Sequence, residues 1–140
     1  MERGRGILMH ISSFPAKYGI GTMGKEAFQF VDFLKKSGQK YWQILPIGPT
    51  SFGDSPYQSF STFAGNPYFI DFDLLREDGS LNLEDYSEID WGNKPDRVDY
   101  EKIFKSRFKV LKAAYSRDRI RKKAEIDNFR FNHSYWIENY

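Results

Sequence analysis

YWQILPIGPTSFGDSPYQSFSTFAGNPYFID, residues 41–71, decides how this 140-residue chain reads. It opens as a strand: over residues 41–45, Tyr41, Trp42, Ile44 and Leu45 form an apolar run that stops at Pro46. A loop dense in Gly, Pro, Ser and aromatic residues comes next. Asn66 and Pro67 then lead into a second short apolar piece, residues 68–70, which reads as another strand. Solvated linkers seldom hold Tyr57, Phe60, Phe63 and Tyr68 so close together, and loops mounted on a rigid strand end often carry binding residues. Aromatic rings cover the apolar C–H face of a pyranose, while hydroxyls, amides and carboxylates take its hydroxyl groups. This loop has both sets.

Upstream, residues 7–11 read as a first strand, apolar on both faces as expected of a buried parallel strand. Ser12, Ser13, Pro15, Gly19 and Gly21 make the loop after it. A helix is predicted over 24–37: Ala27, Phe28, Phe30, Val31 and Leu34 give it an apolar face, and Gly38 stops it. Strand, helix and strand in this order form a βαβ unit, so the strands should be parallel and the crossover right-handed. Downstream the character changes. Glu77-Asp78-Gly79 signals a turn, and Asn82 starts a short helical turn reaching Tyr86. Over 99–115, Tyr100, Ile103, Phe104, Phe108, Leu111 and Tyr115 recur at helical spacing behind Asp99, a suitable cap. A second charged helix is expected over 117–131, and a third beginning at Asn132 or Ser134. The fold class is α/β, with a βαβ half and a helical half.

Charge is nearly balanced, 21 basic residues against 19 acidic, so no strong field favours nucleic acid or membrane. The basic run Arg117, Arg119, Arg121, Lys122, Lys123 reads as a solvated helix face, because no stacking aromatics interleave with it. There is no cysteine, hence no disulfide framework and no thiolate metal site. No run approaches the ~20 apolar residues of a membrane span, and residues 7–11, interrupted by His10, are too short for a signal peptide. Cytoplasm is the expected location.

Residues 41–71 closely resemble the N-terminal region of the 4-alpha-glucanotransferases (amylomaltases, glycoside hydrolase family 77). The earlier segment RGILMHISSFPAKYGIGTMGKEAFQFVDFL, residues 5–34, resembles the same family in the same order and at similar spacing. After Leu75 the likeness is one of general character only. The resemblance implies a (β/α)8 TIM barrel, of which residues 1–75 would be the first βαβ unit and substrate loop. Residues 76–140 would be an inserted, mostly helical subdomain, incomplete at its C-terminus. A barrel needs about 250 residues, so the chain is expected to be an N-terminal portion, truncated relative to the family.

The resemblance also assigns roles. Tyr57, in Asp54-Ser55-Pro56-Tyr57, matches the family's aromatic platform under the sugar being transferred. Pro56 restricts Ser55 and stiffens the approach. The alternative is a tyrosine packed into a loop core. Ser55 is the platform's polar neighbour. Asp54 either accepts sugar hydroxyls or forms an Asx-turn in Gly53-Asp54-Ser55. Phe52 stands where many members carry Tyr in a secondary glucan contact, so stacking survives and a hydroxyl is lost. Asn66, with Pro67, either binds sugar or locks the loop by satisfying backbone groups. Thr22-Met23 replaces the commoner Asp-Leu, which removes any carboxylate role there, and Phe14 for Leu is a packing change. His10, at the end of the first strand, reads as a structural hydrogen-bonder and Trp42 as a core residue. Asp71 and Asp73 would end a strand and cap the next element.

No catalytic residue is expected in this chain. The family's nucleophile and acid/base belong to later barrel strands, beyond Tyr140. They would transfer α-1,4-glucan segments from a maltodextrin donor to glucose or a maltooligosaccharide acceptor. Two carboxylates about 5 Å apart would do so with retention of configuration. Neither cofactor nor metal is implied. A non-catalytic glucan-binding module is the competing reading, and a small α/β domain whose aromatic loop is merely its core is a third.

Overall fold

A computed structural model describes residues 3–92, 94 and 96–140. The chain divides into two compact units. The first comprises residues up to Asp71 together with Asp90–Ile103; the second comprises Phe72–Ile89 and Phe104–Tyr140. Asn93 and Pro95 lie outside the described residues.

The first unit is built on the expected βαβ element. Strand β1 (Gly6–Leu8) leads to helix α1 (Lys25–Lys36) and strand β2 (Tyr41–Gln43), and the strands pair in parallel with Ile7 opposite Trp42. Both strands are shorter than the apolar runs suggest. After Leu8 the chain turns into a 3-10 segment, Ile11–Ser13, in which the Ser13 N–H donates to the His10 carbonyl at 3.0 Å. The strands are also not buried on both faces: Leu8 is 59% exposed and Tyr41 equally so, because each strand has one pairing neighbour among the described residues. Hydrophobicity marks a strand made for burial, but neighbours decide whether it is covered.

Helix α1 ends where Gly38 predicts. Gly38 takes φ +68°, its N–H donates to the Lys35 carbonyl, and the Gln39 N–H reaches the Leu34 carbonyl at 2.9 Å. A residue without Cβ enters this left-handed conformation at little cost, and two otherwise orphaned carbonyls gain donors. Ala27 and Leu34 are buried. Phe30 packs edge-on against Trp42, with ring centroids 5.4 Å apart, while Phe28, Val31 and Phe33 stay exposed. Trp42 also meets Phe14 edge-on, and its indole N–H donates to the Met9 carbonyl at 2.8 Å. Around this cluster the unit buries Ile11, Phe14, Ile20, Tyr68, Phe69, Trp91 and Ile103.

Residues 68–70 do not form a strand. Pro67–Phe69 is a 3-10 turn with proline at its start, and the Asn66 side-chain carbonyl accepts the Tyr68 N–H at 2.9 Å. Proline at the first helical position loses only a donor that would be orphaned there, and the Asn66 amide caps another. These two local devices override the short apolar run.

The second unit is helical. Helix α2 (Phe72–Glu77) and the 3-10 turn Leu83–Asp85 precede the long helix α3 (Tyr100–Arg121), whose first turn belongs to the first unit. Asp99 caps α3 as expected, its carboxylate accepting the Lys102 N–H at 3.1 Å. The helix outruns the predicted end at residue 115. Ser116 points its hydroxyl back to the Lys112 carbonyl at 2.8 Å rather than breaking the helix, and no Gly or Pro comes after it. The turn falls at Lys122, before α4 (Lys123–Asn132) and α5 (Ser134–Ile137). In this unit α3 buries Arg107, Val110 and Ala114; of the predicted stripe Ile103 is buried in the first unit, while Phe104, Phe108 and Tyr115 are exposed. The two stripes lie side by side on the helix. Below α3, Phe72 is fully buried, with the Arg107 guanidinium 4.2 Å over its ring and Tyr86 at 5.4 Å.

The basic run is largely committed to ion pairs rather than freely solvated. Arg117 makes a two-pronged contact with Asp85 at 2.7 and 3.0 Å. Arg121 joins Asp118 and Asp78, and Lys122 also reaches Asp78. The hydrogen bonds from Arg117 hold the Asp85 carboxyl below its ordinary range, and those from Lys122 and Ser80 do the same for Asp78. Among the described residues no helix is long and apolar enough to cross a membrane.

Candidate functional site

The loop after β2 is closed at its base. The Asn66 N–H donates to the Ile47 carbonyl at 2.7 Å, and Thr50 and Ser59 form an isolated antiparallel bridge. Inside that neck, the Asp54 N–H donates to the Ser51 carbonyl and the Gln58 N–H to the Ser55 carbonyl, both at 3.1 Å. The enclosed residues therefore project from a tied base, with two turns of their own.

This frame leaves the aromatics outward. Tyr57 is 72% exposed and Phe52 fully so, with Phe60 and Phe63 also open. Tyr57 is not packed into a loop core; the buried rings are Tyr68 and Phe69, at the loop's return. Ser55 and Pro56 are half-buried beside it. Asp54 takes φ +52°, a left-handed conformation that Asp tolerates better than most residues, and its carboxylate accepts the Thr50 hydroxyl at 3.4 Å. The expected Asx-turn is absent for a plain reason: its acceptor would need the N–H of Pro56, which has none. Asn66 is buried and carries out the loop-locking role through Tyr68, with Pro67 next in the same turn.

The other carboxylates serve structure. Asp71 does stand just before α2, but its carboxylate accepts the Thr22 hydroxyl at 2.5 Å, while the Met23 N–H donates to the Phe69 carbonyl at 2.9 Å. Thr22 thus ties the loop after β1 to the return of the loop after β2. Gly24 packs so closely there that a Cβ would lie 2.5 Å from Asp71 Cγ. Asp73 sits inside the first turn of α2 rather than capping it, and accepts the Tyr86 hydroxyl at 3.2 Å. Among the described residues no group of three or more His, Asp or Glu could hold a metal ion.

Within the first unit a cavity of about 170 Å³ opens against the loop. Thr50, Asp54 and Pro56 line it from the loop, and Asn66 and Tyr68 from its return. His10 and Ser12 line it from the end of β1, and Tyr100 from the start of α3. Tyr57 does not line it. His10 departs from its expected role: its Nδ1 is buried without a hydrogen-bond partner, and the ring meets Phe69 edge-on at 5.3 Å. Burial lowers the His10 pKa, so the neutral imidazole is favoured. Burial raises the Tyr100 phenol, as does the charge of Asp54, which keeps that hydroxyl protonated and able to donate. Sequence reasoning missed Tyr100, which reads as one more apolar member of a helical stripe; only its phenol could have hinted at more.

A family model described as 4-alpha-glucanotransferase matches residues 9–140. A 4-alpha-glucanotransferase of Clostridium butyricum is 52% identical over 132 residues, 94% of this chain and 27% of that protein. One from Thermus thermophilus is 43% identical over 146 aligned positions, 100% of this chain and 28% of that protein. Among solved structures, an amylomaltase from Streptococcus agalactiae in complex with acarbose superimposes with a TM-score of 0.91 at 47% identity, over 97% of this chain and 28% of that one. The α/β architecture described above therefore matches part of that fold, and the chain spans little more than a quarter of the length of these relatives.

Proposed function

This chain belongs to the 4-alpha-glucanotransferase family, and on that footing we propose that it supplies the donor-binding rim for transfer of α-1,4-glucan segments between maltodextrins. In this reading β1, α1 and β2 are the first units of a (β/α)8 barrel, residues 1–75 carry the substrate loop, and residues 76–140 are a helical insertion. Tyr57 is the platform for a pyranose ring. Ser55 and Asp54 are its polar neighbours, Phe52 is a secondary contact, and Asn66 with Pro67 holds the loop's return.

One observation carries the proposal: a loop tied at its neck presents exposed rings, Tyr57 and Phe52, beside a hydroxyl and a carboxylate. An exposed aromatic on a braced frame gives a sugar a C–H-facing surface without the cost of ordering the loop on binding. The acarbose bound by the S. agalactiae relative supports the same ligand class. The retaining chemistry needs a nucleophile and an acid/base, which this reading assigns to residues other than these 140; the donor is a maltodextrin, the acceptor glucose or a maltooligosaccharide, and the location cytoplasmic.

The test is a pair of measurements on the chain. Titration with maltotriose should show saturable binding, and incubation with it should release no glucose above background. Turnover would overturn the assignment of catalysis elsewhere. Absence of binding to maltotriose would remove the glucan role itself.

A further inference from the structure

The 170 Å³ cavity holds space that the Tyr57 surface does not use, and its lining defines what could enter. Among the described residues its one carboxylate is Asp54, and neither lysine nor arginine lines it. A phosphate or carboxylate ligand would find a like charge and no counter-charge, so the cavity selects against anions. A cation would find one carboxylate and no second acidic group, too few for a metal. What remains is a neutral, hydrogen-bonding ligand.

The polar groups suit one with several hydroxyls. A hydroxyl group both donates and accepts, so its seat needs both kinds of partner. Asp54 accepts, the protonated phenol of Tyr100 donates, and neutral His10 offers one of each. Ser12, Ser13 and Asn66 add short polar side chains. The His10 Nδ1 is already removed from water without a partner, and a buried polar atom left so is costly. A ligand hydroxyl reaching this ring would supply what the chain does not. The rings of Tyr68 and Tyr100, with Pro46 and Pro56, furnish apolar surface for C–H groups. Size sets the last limit. At about 170 Å³ the space admits a small ligand on the scale of one hexose ring.

We propose that this cavity seats a single neutral hexopyranose unit, at a position separate from the Tyr57 ring, with Tyr100, His10 and Asp54 among its lining groups. The proposal rests on the glucan reading for its choice of sugar. Tyr57 takes no part in the cavity, while Asp54 and Asn66 are common to both sites.

The chain has two histidines, and only His10 lines the cavity. Histidine-selective labelling and NMR of the full 140-residue chain therefore give a reporter and an internal control, His133. D-glucose should shift the His10 ring resonances saturably and leave His133 in place; glucose 6-phosphate at the same concentration should be much weaker. Tyr100→Phe keeps the ring and its packing against Tyr68 but removes the hydroxyl, and should weaken D-glucose by about fivefold, the effect of one neutral hydrogen bond. Asp54→Asn, as a second variant, should weaken D-glucose and lessen the exclusion of glucose 6-phosphate. Tyr57→Ala should weaken maltotriose and leave the D-glucose response unchanged. A His10 signal that D-glucose does not move overturns the proposal, as does one that moves together with His133. So does a response indifferent to both Tyr100→Phe and Asp54→Asn. If Tyr57→Ala leaves maltotriose binding intact, the platform reading fails while the His10 response still decides the cavity.

Discussion

Replacing Tyr57 by alanine separates a binding surface from a core residue, and the structure sets the size of both effects. The side chain is 72% exposed, so little apolar area returns to water when it is truncated. A surface change of this kind stays within about 0.5 kcal/mol of the starting stability. A tyrosine packed in a loop core would instead cost several kcal/mol, about 3–5 kcal/mol for a large aromatic. For sugar, stacking on the exposed face should be worth on the order of 1–3 kcal/mol by analogy with bases on aromatic side chains, roughly 5-fold to 150-fold in affinity. Tyr57→Phe keeps the face and should recover most of that. The assay pairs isothermal titration with maltotriose and urea unfolding of the same preparations. The loop neck at Thr50 and Ser59 does not involve the Tyr57 ring, so the frame should survive the substitution. Loss of stability with maltotriose affinity per folded molecule intact would refute the reasoning, and Tyr57 would be packing.

Four further outcomes are expected. Phe72→Ala should cost about 3–5 kcal/mol by urea unfolding, since the ring is fully buried. A double-mutant cycle of Phe72→Leu with Arg107→Met should show coupling of about 1–2 kcal/mol from the guanidinium 4.2 Å over the ring; zero coupling would dismiss that contact. Gly24→Ala should destabilise by about 1–3 kcal/mol, because the new Cβ must displace Asp71 from Thr22; an unchanged unfolding midpoint would show that the close approach does not matter. His10 makes stability depend on pH in a defined direction. Its folded pKa lies below the ordinary histidine value of 6.5, so its contribution is fully present above pH 6.5 and is lost as pH falls through the folded pKa. Between about pH 7.5 and 5.5, a window that brackets that value, the urea midpoint should fall more for the parent chain than for His10→Gln, and equal slopes would remove His10 as the cause.

The features legible in the sequence are those whose causes lie within a few residues of each other. Gly38 ends α1 because a left-handed residue must come after the last turn, and Asp99 starts α3 because its carboxylate reaches an amide three residues on. The parallel pairing of β1 and β2 follows from a helix that spans the gap between two apolar runs. The aromatic loop is plain from composition alone. Other features needed the tertiary structure, because they depend on which distant groups arrive and which do not. An alternating or apolar pattern states what a residue can bury, but not whether a partner covers it, so Leu8, Tyr41 and the Phe104–Phe108 stripe are open where the pattern predicts burial. Residues 67–69 turn rather than extend because Asn66 and Pro67 outweigh a three-residue apolar run too short to hold a strand without a neighbour. Asp71 has the look of a free carboxylate until folding brings it to Thr22, 49 positions earlier. The cavity belongs to the same class. His10, Asp54 and Tyr100 are ordinary residues singly and far apart along the chain, and a donor and an acceptor form a site only when folding places them around one space from which the rest of the protein is excluded.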